Sequence, residues 1–262
     1  MNFTRAVVRP PGRNFAAGLT SAAEGAPDHD LASQQHARYC DALRGCGLEL
    51  TVLDPEAAFP DGTFVEDAAI LTPRGAIVTR PGAPTRLGEI DSVARALRGL
   101  FQSDLRHIDV PGTVDGGDIC EAGGHYFIGV SARTNETGAN QLKRHLEGMG
   151  FSASMVDIRA SRTLLHLKTG IAYLGDGVWA VAAAILGDLE PLDRFGIRDL
   201  VKVTPAEGYA ANCVRVNDRV LVASGYPLIT DALECRGLRP LPLDMSEYRK
   251  MDGGLSCLSL RF

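Results

Sequence analysis

The 262-residue sequence predicts an α/β fold of five ββαβ units closed into a propeller-like ring with pseudo-fivefold symmetry. Three observations predict it. Pairs of apolar runs joined by short turns recur four times along the chain. Helical and single-strand patterns follow the pairs. The pieces of a fifth unit lie at the two ends of the sequence.

The paired runs are "TFVEDAAILTPRGAIVTR", "TVDGGDICEAGGHYFIGV", "TLLHLKTGIAYLGDGVWAVAA" and "ANCVRVNDRVLVASGYP". They begin at Thr63, Thr113, Thr163 and Ala211, about 50 residues apart, which is the scale of a propeller repeat. Their turns "PRG", "GDG" and "NDR" have the composition of hairpin turns. After the first pair, "TRLGEIDSVARALRGLF" places Leu87, Ile90, Val93, Leu97 and Leu100 at helical spacing. After the second, "TNETGANQLKRHLEGMG" has a polar start and a glycine stop. Strands "LRHIDV" and "FSASMVDI" then close these units. For the fifth unit, C-terminal "GGLSCLSLRF" pairs with N-terminal "RAVVRP", and helix "DLASQQHARYCDALRGCG" with strand "LELTVL" completes it. The expectation is one domain over residues 1–262, with the last strand fixed in the ring rather than frayed.

Composition narrows the function classes. Hydrophobic residues make up 45% and charged residues 23%, an ordinary globular balance. With 27 basic and 32 acidic residues, net charge −5, and no basic block, the chain offers no nucleic-acid surface. No apolar run approaches the roughly 18 residues of a membrane span. The N-terminus lacks the order of a signal peptide, which points to a cytoplasmic protein. None of the six cysteines forms a Cys-x-x-Cys pair, so most read as small core residues. Cys257 is the one that raises a question. It follows a glycine pair five residues from the end, and is either a core thiol or a nucleophile.

The order "FVED", "DGGD", "LHLKTG", "DGGLSC" on successive repeats resembles the guanidine-modifying enzymes of the pentein superfamily, and within it the family that hydrolyses methylated arginines. The matching elements run from about Leu19 to Cys257. The resemblance implies the pentein fold, with the site at the axis, and a reaction that turns Nω,Nω-dimethylarginine or Nω-monomethylarginine into citrulline and (di)methylamine. It implies neither metal nor organic cofactor. The partner is a small-molecule methylated arginine, with a homodimer left open.

That chemistry explains the residue types. A guanidinium carbon is a poor electrophile whose leaving amine must be protonated, so a thiolate, a proton donor and fixed carboxylates are needed. The resemblance makes Cys257 the nucleophile, passing through a covalent thiouronium intermediate, and His166 the general acid and base. Asp115 orients the imidazolium, and a bound substrate cation favours the thiolate. Asp67 holds the guanidinium, with Glu66 beside it; in a regular strand these two point to opposite faces. Asp61 and the backbone carbonyls of Leu19 and Met251 take the α-ammonium, while Arg86 and Arg133 clamp the α-carboxylate. Asp118, three residues after Asp115, has no assigned part. The Gly- and Ala-rich "GLTSAAEGAPD" beside Leu19 is a candidate lid.

One residue separates the branches. Arginine and agmatine deiminases carry an aspartate two residues after the histidine, where this chain has Lys168. On a strand that position shares the histidine's face. A dimethylated nitrogen has no N–H to offer, and a carboxylate opposite it would be buried unpaired. The alternatives are an arginine deiminase-like enzyme, an amidinotransferase, which is generally longer, and a non-catalytic binding protein of the same fold.

Overall fold

The computed structural model describes residues 2–101, 105–161, 163–187 and 195–262. It contains five three-stranded sheets of one plan. Strand β1 (Arg5–Val8) lies between β2 (Glu49–Val52) and the C-terminal β15 (Ser259–Arg261). The second sheet holds β3 (Ala69–Thr72), β4 (Gly75–Val78) and β5 (Arg106–His107). The third holds β6 (Ile119–Ala122), β7 (His125–Val130) and β8 (Ser152–Asp157). The fourth holds β9 (Ile171–Gly175), β10 (Val178–Ala182) and β11 (Asp199–Val203). The fifth holds β12 (Val214–Val216), β13 (Arg219–Ala223) and β14 (Pro240–Leu243).

In every sheet the middle strand is antiparallel to one neighbour and parallel to the other. A parallel pair needs a crossover, and helices supply it. These are α1 (His29–Gly45), α2 (Ile90–Phe101), α3 (Glu136–Gly148) and α5 (Pro227–Glu234). Their starts follow from capping: Asp28 accepts the N–H of Leu31 at 2.9 Å, and Asn135 accepts that of Gly138 at 2.7 Å. Each turns an apolar stripe inward, such as Val93, Ala94 and Leu97 on α2. The fourth unit's crossover begins as a 3-10 turn at Ala183–Ile185 and runs into residues 188–194, outside those described. The middle strands β4, β7, β10 and β13 are buried along nearly their whole length, with α2 packed on β4 and α3 on β7. Asp176 and Asn217, both at φ +55°, make the tight hairpins that "GDG" and "NDR" predict.

One expectation needs correction. The segments carrying the motifs are not the beginnings of strands. Ahead of the first strand of each unit the chain makes a short helical turn: Val65–Ala68, Gly116–Asp118, α4 (Leu167–Gly170), Pro205–Ala211 and Ser256–Leu258. Turn hydrogen bonds such as Asp118 N–H to Asp115 O and Thr169 N–H to His166 O replace a strand ladder there. Face alternation therefore does not govern Glu66 and Asp67, nor His166 and Lys168.

The ring closes through the chain ends. β15 pairs with β1 from Ala6–Arg261 to Val8–Ser259 and packs against β3 of the next sheet. Leu260 buries its side chain there with Val7, Val65 and Ala68. Leu260→Ala is expected to cost about 3 kcal/mol of unfolding free energy in a denaturant titration. A loss below about 1 kcal/mol would show that this seam is not a closely packed part of the core.

Candidate active site

The five turns meet at the axis and are laced together by side chains from different units. Glu66 is the hub. Its Oε1 accepts from Lys168 Nζ at 2.6 Å, its Oε2 accepts from Ser256 Oγ at 2.8 Å, and Arg261 lies 3.6 Å away. Asn212 donates to Lys168 O at 3.0 Å and to Ser256 Oγ at 3.1 Å, and accepts the N–H of Ser256 at 2.9 Å. The remaining turn is tied in by the N–H of Gly117, which donates to Asp67 Oδ1 at 2.8 Å. Such close approach explains "DGGD". A side chain on Gly116 would collide with the carbonyl of Glu66, and one on Gly117 would come within 2.7 Å of His166 Nδ1.

His166 stands at the N-terminus of α4, its N–H donating to Thr169 Oγ1 at 3.3 Å. Its Nε2 is 3.0 Å from Asp115 Oδ2. Asp115 is fully buried and is itself held, since its Oδ1 accepts the N–H of Gly82 at 2.8 Å. Asp67 flanks the same imidazole, and the donor atoms of Asp67, Asp115 and His166 lie within 4.8 Å of one another. Three such donors are a set that a metal ion accepts. Here hydrogen bonds and ion pairs already engage them, as in a proton-transfer site. Burial by itself disfavours the imidazolium. The charge of Asp67, the Asp115 hydrogen bond and the charges of Asp118 and Asp115 outweigh it and raise the His166 pKa to about 9. Asp67 is lowered to about 2: burial acts against ionisation, but His166, Arg86 and the N–H of Gly117 overcome it.

Cys257 lies on the Ser256–Leu258 turn, half-buried, its N–H bonded to Gly254 O at 3.2 Å. The thiol and the His166 ring line one cavity of about 440 Å³, together with Glu66, Gly117, Lys168 and Asn212. Burial first, then the charges of Glu66 and Asp67, push the thiol up to about 12, so the resting group is S–H. Cys40, Cys46, Cys120 and Cys213 are buried core thiols as the sequence predicts, whereas Cys235 is exposed.

The residues expected around the amino-acid end of a substrate also converge. The N–H of Leu19, rather than its carbonyl, bonds both oxygens of Asp61, at 3.0 and 3.2 Å. Met251 is buried, and its Cε sits beside Gly18. The candidate lid is anchored: Thr20 Oγ1 donates to Lys250 O at 2.9 Å, and Arg249 pairs with Glu24 at 2.7 Å. Ser21, Ala22 and Glu24 form part of the cavity wall.

The two arginines differ. Arg86 is buried, with its guanidinium engaged by Asp67 at 2.7 Å, Glu89 at 2.8 Å and the carbonyls of Asp61 and Phe64. It is an internal strut among buried carboxylates, not the open fork the sequence reading describes. Arg133 is more open, with its side chain 20% exposed and Nη1 4.0 Å from Asp115 Oδ2.

Sequence reasoning missed Asn212 and Ser256 and the pairing of Lys168 with Glu66. The repeat held a signal for Asn212, because "ANC" lies just ahead of the first strand of its unit, as "VED" does of its own.

Comparison with known proteins agrees with this geometry. Residues 96–259 match the arginine deiminase family. The chain is 42% identical over 260 residues to the N(G),N(G)-dimethylarginine dimethylaminohydrolase of Pseudomonas aeruginosa, covering 99% of this chain and 100% of that protein. The structure superposes with a TM-score of 0.95, at 41% identity and over 100% of both chains, on a cysteine-to-serine variant of the P. aeruginosa enzyme complexed with citrulline. It superposes at 0.94, again at 41% identity and over 99% and 100% of the two chains, on a histidine-to-glycine variant of a dimethylarginine dimethylaminohydrolase in an adduct with S-methyl-L-thiocitrulline. Full-length likeness in sequence and fold, with a thiol and an imidazole facing one axial cavity, places this chain in the dimethylarginine dimethylaminohydrolase family of pentein hydrolases.

Proposed function

We propose that the chain performs the family's hydrolysis of methylated arginine with Cys257 as nucleophile, His166 as general acid and base, and Asp115 as the group that holds His166. The observation that carries this reading is that Cys257 and His166, from different units of the ring, face one cavity while Asp115 grips the imidazole from behind.

The resting charges suit the chemistry. His166 holds its proton and Cys257 is a thiol. A guanidinium entering beside Glu66 and Asp67 offsets the negative charge that opposes the thiolate, and the thiol proton leaves to solvent. The thiolate sulfur bonds to the guanidinium carbon, giving a neutral tetrahedral adduct. His166 protonates the substituted nitrogen, the C–N bond breaks, and dimethylamine departs from a cationic thiouronium. The imidazole, now neutral, takes a proton from water as the water oxygen bonds to carbon. The C–S bond then breaks, and the proton of the newly added hydroxyl passes to sulfur, leaving citrulline and the free thiol.

Substrate selection rests on three contacts. Asp67 takes the guanidinium N–H groups, with Glu66 adjacent. Asp61 takes the α-ammonium, with the backbone of Leu19 and Met251 closing around it. Arg133 takes the α-carboxylate, while Arg86, held by Asp67 and Glu89, braces Asp67 and the backbone of Asp61 behind the substrate. Lys168, drawn to Glu66, leaves the methylated nitrogen free of an opposing carboxylate, which favours a dimethylated over an unmodified guanidine.

A ureido-product assay on asymmetric dimethylarginine, arginine and agmatine, with no added amine acceptor, tests the reaction. Free dimethylamine should appear with citrulline, and turnover of the two unmethylated guanidines should be lower by roughly 100-fold. Cys257→Ser should cut turnover by about 10⁴-fold or more with an unchanged melting temperature. Comparable turnover of plain arginine would refute the role given to Lys168, and an active serine variant would refute the nucleophile.

The pH dependence follows from His166. Amine departure needs the imidazolium, so kcat should fall as pH rises through about 9. The same group links pH to stability. Its folded pKa lies above the unfolded value of about 6.5, so its stabilising contribution is complete below 6.5 and disappears as pH rises through about 9. Denaturant titrations from pH 6 to 10 on the parent and His166→Ala should converge at the alkaline end. Curves that stay parallel would contradict a raised histidine.

A further inference from the structure

Asp118 is a buried carboxylate at the axis that the mechanism above does not use. It is fully inaccessible, on the Gly116–Asp118 turn, and both of its oxygens accept hydrogen bonds. Oδ1 takes the N–H of Leu167 at 3.0 Å, the residue that follows His166. Oδ2 takes the hydroxyl of Ser131 at 2.7 Å. Ser131 Oγ in turn accepts the N–H groups of Arg133 at 2.9 Å and Thr134 at 3.0 Å, and Thr134 Oγ1 accepts the N–H of Asp115 at 3.0 Å. The chain of bonds is closed. From Asp118 it runs through Ser131 and Thr134 to Asp115, across to His166, and back through Leu167.

We propose that Asp118 is a positioning residue for the hydrolysis: one oxygen fixes the backbone beside His166, the other fixes the Ser131–Thr134 turn that carries Arg133 and holds the Asp115 N–H, and its charge helps hold the imidazolium. The proposal rests on His166 being the acid and base. Three features support it over a purely stabilising role. The carboxylate joins both partners of the Asp115–His166 pair, so a shift in it moves their 3.0 Å contact directly. Gly129 leaves room for the arrangement, since a side chain there would come within 3.1 Å of Asp118 Oδ1. The groups hydrogen-bonded to the Asp118 carboxylate, Ser131 and the Leu167 amide, are neutral, and the charge that acts on it is that of His166. Its negative charge is therefore directed at His166, whose other charged neighbours are Asp67 and Asp115, backed by Arg86 and Arg133. Burial raises the Asp118 pKa to about 6, against the opposing pull of His166, Ser131, Thr134 and Leu167, so the carboxylate is ionised at neutral pH.

The test is Asp118→Asn, which keeps the shape and a carbonyl oxygen for Leu167 but removes the charge. The expected result is a fall of about 10-fold or more in kcat, larger than any rise in KM that reaches the substrate through Arg133. The basic limb of the kcat profile should move to lower pH by about one unit, because the imidazolium loses a stabilising anion. Ser131→Ala keeps the charge and removes one tether. It should lower kcat several-fold and leave the basic limb in place. A parental kcat and pH profile in Asp118→Asn, with only a lower melting temperature, would overturn the proposal. Should that variant fail to fold, Ser131→Ala decides: a loss of kcat larger than any rise in KM through Arg133 supports positioning, and parental kcat overturns it. Failure of the underlying reading is distinguishable, since it would leave His166→Ala active.

Discussion

An imidazolium held between Asp67 and Asp115 in a buried volume is the interaction on which the rest of this site depends. Two carboxylates and a cation taken out of water are costly unless their charges and hydrogen bonds balance. Arg86 supplies the balance on one side by pairing with Asp67 and Glu89, while backbone N–H groups of Gly82 and Gly117 complete it. Glycine at 116 and 117 follows from the same constraint, because only a bare backbone lets two turns and an imidazole approach this closely. The fold serves this arrangement. Each unit ends its approach to the axis in a short turn, and the turn aims its polar side chain at those of its neighbours.

The same charges explain why Cys257, the proposed nucleophile, rests as a thiol. Glu66 and Asp67 lie close enough to oppose a second anion, and burial adds to their effect. A cationic substrate reverses that sign at the moment it arrives. On that proposed mechanism activation is tied to occupancy, which spares the sulfur from oxidation and alkylation between turnovers. On the proposed mechanism the carboxylates have two uses: they hold the substrate guanidinium and they keep the sulfur quiet without it.

Much of the fold was legible because it is periodic. The hairpins, the capped helices and the pairing of the two chain ends all follow from apolar spacing, turn residues and a repeat of about 50 residues. The catalytic turns were not legible as turns. Segments of three or four residues carry no period, and their apolar neighbours made them look like strand starts. For that reason the face-alternation arguments about Glu66 and about Lys168 failed, although the residues themselves do meet at the axis. Arg86 illustrates a different limit. An arginine read from sequence is an open fork, and only the three-dimensional meeting of Asp67 and Glu89 shows that it is engaged. Asn212 and Ser256 were overlooked because a single amide or hydroxyl has no spacing to betray it; only alignment of the repeats could have found the former.

The central claim is that substrate charge, and not a resident base, turns Cys257 into a nucleophile. Its most direct test is to titrate Cys257 by ultraviolet thiolate absorbance, in the free protein and with a non-reactive guanidinium or amidinium ligand bound, using Cys257→Ala to subtract the other thiols. The account predicts no Cys257 thiolate at neutral pH in the free protein and a clear fall in the thiol pKa once the cation binds. A thiolate already present at neutral pH without ligand, unchanged on binding, would contradict it.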